Sequence, residues 1–83
     1  MTYMFEVYYK LPTDARREEA LTNQVEKLGG CLDFREEPTL PDLGGICLTY
    51  EFASFDSANR AAELLRSQGE HVEGPTDYGV TSH

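Results

Sequence analysis

Apolar and polar residues alternate from the start of the chain. Tyr3, Phe5, Val7, Tyr9 and Leu11 share one parity, and Met4, Glu6, Tyr8 and Lys10 share the other. A period of two predicts a strand with one buried face. Pro12 ends it, and Thr13 or Asp14 stands where a side-chain oxygen can cap a helix by accepting from an orphan N–H. In "DARREEALTNQVEKLGG" the pattern changes period. Leu21, Val25 and Leu28 fall on one helical stripe, with Glu18 and Glu19 near the N-terminal end and Lys27 near the C-terminal end. Gly29-Gly30 stops this helix, because glycine tolerates a left-handed residue after the last turn.

"CLDFREE" predicts a second strand, with Leu32 and Phe34 on one side and Cys31, Asp33 and Arg35 on the other. "PTLPDLGG" is a turn region rich in proline and glycine. In "ICLTYEF", Ile46, Leu48, Tyr50 and Phe52 share a face, opposite Cys47, Thr49 and Glu51. Ser54 or Asp56 caps a second helix with an inner stripe of Ala58, Ala61, Ala62 and Leu65, and Gly69 ends it. "EHVEG" is a short fourth strand before Pro75. The tail "GPTDYGVTSH" covers a sheet edge, swaps onto a partner or frays, and fraying is the default for a terminus.

The two halves repeat a strand, a capped helix, a glycine stop and a strand, with Asp14 matched to Asp56 and Gly29 to Gly69. The order β-α-β-β-α-β predicts a split βαβ, or ferredoxin-like, α+β sandwich. Right-handed crossovers place the first and third strands centrally in an antiparallel sheet, with both helices on one face. The expectation is one domain over residues 1–83, with 75–83 as a flexible tail.

Charge narrows the function classes. The 83 residues carry 15 acidic and 7 basic side chains, a net charge of −8. Such a surface repels phosphate backbones and anionic lipids, so neither nucleic acid nor membrane is an expected partner. It suits a basic protein partner. The N-terminus has no basic segment followed by a long apolar run, so no signal peptide or transmembrane helix is read there. The expected location is the cytoplasm, where Cys31 and Cys47 stay free thiols.

Residues Leu48 to Leu65, "LTYEFASFDSANRAAELL", are similar to the third strand and second helix of RNA recognition motifs. That family places a basic residue, a glycine and alternating aromatics on the third strand, and the aromatics stack bases on the open sheet. In "GGICLTYEF" Gly45 fits, but Ile46 and Leu48 stand where aromatics belong, and no basic residue precedes the glycine. Tyr50 and Phe52 share their parity and are expected to face the helices. The stretch therefore reads as a core strand and its packing helix.

Other sites common on this architecture fail at the loop after the first strand. Leu11-Pro12-Thr13-Asp14 lacks the cysteines of ferredoxin-like metal chaperones, the glycine- and arginine-containing phosphate cradle of acylphosphatases and the glycine of ACT-type amino-acid sensors. Arg16 and Arg17 lie inside the helix. Cys31, Cys47 and His71 do not make a four-ligand zinc set. No P-loop, dinucleotide fingerprint or nucleophile elbow is present. No metal and no cofactor are expected.

The open face of the sheet remains. By parity it carries Glu6, Tyr8 and Lys10, then Asp33 and Arg35, then Cys47, Thr49 and Glu51, then His71 and Glu73. The leading expectation is a small acidic, non-enzymatic protein-binding or regulatory module, docking a protein partner or self-associating as a homodimer. Glu18, Glu19 and Glu26, and the Glu36-Glu37 turn, are its candidate docking carboxylates. The alternative is a dimeric α/β small-molecule-binding protein or enzyme with a polar pocket on the open face. Glu6, Tyr8 and His71 are then the candidate catalytic groups, with Lys10, Asp33, Arg35, Glu36, Glu37, Thr49, Glu51 and Glu73 as binding residues. Covering such groups desolvates them and shifts their pKa values as acid–base work requires. A third reading, an acidic decoy for a nucleic-acid-binding enzyme, rests on charge alone. The ordinary solvated side of an antiparallel sheet accounts for the same residues.

Overall fold

A computed structural model of the chain describes residues 2–38 and 44–77. Its elements are β1 (Tyr3–Lys10), α1 (Ala15–Lys27), β2 (Cys31–Glu36), β3 (Gly45–Phe52), α2 (Phe55–Ser67) and β4 (His71–Asp77). The strands form one antiparallel sheet in the order β2-β3-β1-β4, the ferredoxin-like βαββαβ sandwich. Most of the turn between β2 and β3, and the end of the tail after Asp77, lie outside the described residues. Among the described residues no helix is long and apolar enough to cross a membrane.

Alternation in the two central strands sets the core. Phe5, Val7 and Tyr9 of β1 and Ile46, Leu48, Tyr50 and Phe52 of β3 are buried against Leu21 and Val25 of α1 and Ala58, Ala61, Ala62 and Leu65 of α2. Tyr50 and Phe52 are at most 1% exposed, so the third-strand aromatics are spent on the core and are not available to stack bases. The alanines let α2 lie close to the sheet.

The helix ends show how far the half-repeat extends. Asp14 Oδ1 accepts from the Arg17 N–H at 3.0 Å. On α2 the cap is Ser54, whose Oγ accepts from the Ser57 N–H at 3.2 Å, while Asp56 lies in the first turn. At the other end the match is close. The Gly30 N–H donates to Val25 O at 3.0 Å and the Gly29 N–H to Glu26 O at 3.1 Å. The Glu70 and Gly69 N–H groups donate to Leu65 O and Arg66 O at 3.1 and 2.9 Å. This double wrap needs a left-handed residue, and Gly29 and Gly69 have φ of +94° and +92°.

Both outer strands carry an extra residue, and both depart from the sequence expectation. In β2 the register passes from Leu32↔Tyr50 to Phe34↔Thr49, so Asp33 is inserted. One extra residue moves every later side chain to the opposite face. Phe34 therefore lies on the open face. Arg35, expected there, lies opposite Leu48 on the helix side. In β4, Gly74 and Pro75 together oppose Phe5, between the pairs Met4↔Thr76 and Glu6↔Glu73. Gly74 has φ +107°, and a Cβ there would meet Met4 O at 3.0 Å. Pro75 begins no tail: β4 continues through it to Asp77.

Candidate functional site

The open face brings together most of the residues assigned to it. Tyr8 pairs with Cys47 on one side and His71 on the other, and Glu6 pairs with Thr49 and Glu73. Lys10 follows at the strand end opposite Gly45. Cys31 lies opposite Glu51, and Glu36 opposite Cys47. The Tyr8 and His71 rings meet edge to face at 5.7 Å. His71 Nε2 is 2.9 Å from Glu73 Oε2.

The candidate catalytic trio of Glu6, Tyr8 and His71 is thus spatially clustered. Partial desolvation, then Cys47, Glu6 and Glu73, push the Tyr8 phenol up to about 12. A phenol held there keeps its proton at neutral pH and offers a hydrogen bond and a ring face. Burial likewise raises the Cys47 thiol, against the opposing effect of bonds from Tyr8 and Thr49. A thiol with a raised pKa is a poor nucleophile. Among the described residues no group of three or more His, Cys, Asp and Glu side chains is placed to hold a metal.

Arg35 serves the helix side instead. Its Nε and Nη2 donate to the two Glu18 oxygens at 2.6 and 3.1 Å, and Nη1 donates to Glu37 at 2.5 Å. Glu18 also accepts from the Tyr9 hydroxyl, which in turn accepts from the Asp14 N–H at 3.0 Å. Glu18 is therefore no free docking carboxylate, whereas Glu19 and Glu26 are exposed. Its carboxyl is held below the usual range, chiefly by the Arg35 guanidinium, with burial opposing and Tyr9 assisting. The same network fixes the Tyr9 ring. The Arg17 guanidinium lies over that ring, 4.9 Å from its centroid, and its Nη2 donates to Glu70 at 2.8 Å.

An open groove of about 910 Å³ runs where β1 meets this network. Tyr8, Lys10 and His71 reach it from the open face, and Tyr9, Leu11 and Arg17 from the helix side. Gly44, Gly45 and Gly69 are the other described residues that line it. Gly45 cannot carry a side chain, since a Cβ would meet Tyr9 O at 2.1 Å. Asp33, at the bulge of the outer strand, takes no part. Sequence reasoning assigned Tyr8, Lys10 and His71 to a site but missed Tyr9, Arg17 and the glycines. No protein-family model matches the chain, and no curated protein matches its sequence.

Proposed function

We propose that this chain is a non-enzymatic binding module that docks a basic protein surface onto the open face of its sheet. The observation that carries this reading is Phe34, 56% exposed on the same face as Tyr8. Glu6, Glu36, Glu51 and Glu73 share that face with the two aromatics. Aromatic side chains supply contact area, and a rim in which these four carboxylates outweigh Lys10 favours a basic partner.

A basic partner is favoured over a second copy. A two-fold face-to-face dimer sets the same patch against itself. Carboxylates would then meet carboxylates in a chain already at −8. A cytoplasmic location accords with free Cys31 and Cys47.

The test compares affinity capture from native lysate by the natural chain, Phe34→Ser and the double variant Glu36→Lys/Glu73→Lys. Basic proteins released by salt, and lost with both variants, are the expected result. Retention of nothing by the natural chain, or of the same set by all three, overturns the reading. Light scattering on the natural chain is expected to give a monomer.

A further inference from the structure

The groove at the end of β1 is a chemical exception within this protein. Seven Lys and Arg residues face fifteen Asp and Glu along the chain, yet among the described residues the groove is lined by Lys10 and Arg17 and by no carboxylate. We propose that the groove binds a small organic monocarboxylate, with Arg17 and Lys10 taking the carboxylate and Tyr8 and Leu11 the apolar body.

Arg17 is mounted for this role. Its guanidinium lies over the Tyr9 ring, which is held by Glu18 and by the Asp14 N–H. Its Nη2 is tied to Glu70, and its Nε and Nη1 make no hydrogen bond among the described residues. A guanidinium fixed in advance loses little freedom on binding, and its fork matches a carboxylate. Lys10 is exposed and makes no ion pair among the described residues. Gly45 lines the groove beside Lys10 with backbone alone.

Counting charges chooses the anion. Lys10 and Arg17 bring two positive charges, and Glu70, bonded to Arg17, and Asp14, close enough to act on it, oppose them without lining the groove. The positive balance is small, inside a strongly negative molecule. That balance matches a monoanion and disfavours a phosphate dianion. The apolar share of the lining, Leu11 and the tyrosine rings, asks for a ligand with a hydrocarbon or aromatic body.

The test is an amide-resolved NMR titration of the natural chain with benzoate, its neutral isostere benzamide, and inorganic phosphate. Benzoate is expected to shift the Tyr8, Lys10, Gly45, Gly69 and His71 amides saturably, with benzamide and phosphate at least about tenfold weaker, the step that one charge contact is worth. Lys10→Gln, a change at an exposed side chain, should weaken benzoate several-fold and leave the spectrum otherwise folded. Arg17→Lys, which keeps the charge but not the fork, should weaken it also. Equal binding of benzoate and benzamide, tighter binding of phosphate, shifts located elsewhere, or indifference to Lys10→Gln overturns the proposal. No partner protein is present in this titration, so its outcome is separate from that of the docking test.

Discussion

Helices α1 and α2 are each thirteen residues long and end in the same double wrap, but they hold the sheet by different means. Helix α2 buries Ala58, Ala61, Ala62 and Leu65, and its main polar tie to the sheet is at its end, where Arg66 Nη2 donates to Val72 O at 3.2 Å and Gly74 O at 2.6 Å. Helix α1 buries only Leu21 and Val25. It adds the Glu18 bonds to Arg35 and Tyr9, and a 2.9 Å bond between Thr22 Oγ1 and the buried Tyr50 hydroxyl. Close apolar packing is non-directional. Directional bonds fix side-chain geometry, and the groove forms at the helix that has them.

The largest expected effect breaks the apolar side of this contrast. Leu65→Ala on α2 should cost about 2–5 kcal/mol, because the alanines around it have no length with which to fill the cavity. Denaturant unfolding measures it, and a loss well under 1 kcal/mol would mean that α2 is not held by packing. The next test addresses what the helices share. Gly29→Ala and Gly69→Ala should each cost about 1–2 kcal/mol from the left-handed backbone alone, since a Cβ at either position meets nothing within 4 Å. Equal losses support equivalent ends, and a several-fold difference refutes them.

The smallest effect isolates the polar side. Tyr9→Phe removes one bond to Glu18 and one from the Asp14 N–H, and should cost about 1 kcal/mol. Its pH signature is more diagnostic than its size. Glu18 has a folded-state pKa below its ordinary 4.5, first because of Arg35. Its contribution is complete above the ordinary value and is lost as pH falls through the lowered one. The stability difference between the natural chain and Glu18→Gln should therefore be greatest near neutrality and shrink in acid. Urea midpoints across that range check it, and a constant offset would show that the network contributes no charge-dependent stability.

Much of this architecture is legible in the chain, and the failures have local causes. β1 and β3 are central, paired on both sides, so their alternation runs unbroken and their buried faces follow from parity. β2 has one neighbour, and a single inserted Asp33 reverses Phe34 and Arg35. The one available signal was an acidic residue within a strand-like run. The cap of α2 was open between Ser54 and Asp56, and only backbone geometry decides it. The groove was half legible. Lys10, Tyr8 and His71 follow from strand parity, but Arg17 reaches Tyr9 through the turn at Leu11–Asp14, and no periodicity encodes that contact.

The insertions in β2 and β4 have a consequence for how copies of the chain coexist at high concentration. A straight outer strand offers evenly spaced N–H and C=O groups, a template on which another chain can add itself and begin a filament. Here that template is interrupted on both margins, by Asp33 on one and by Gly74-Pro75 on the other. Pro75 also removes a donor, and Asp33 brings a charged residue to the outer strand. The same two irregularities that made the outer strands hard to read thus guard the sheet against runaway growth into fibrils.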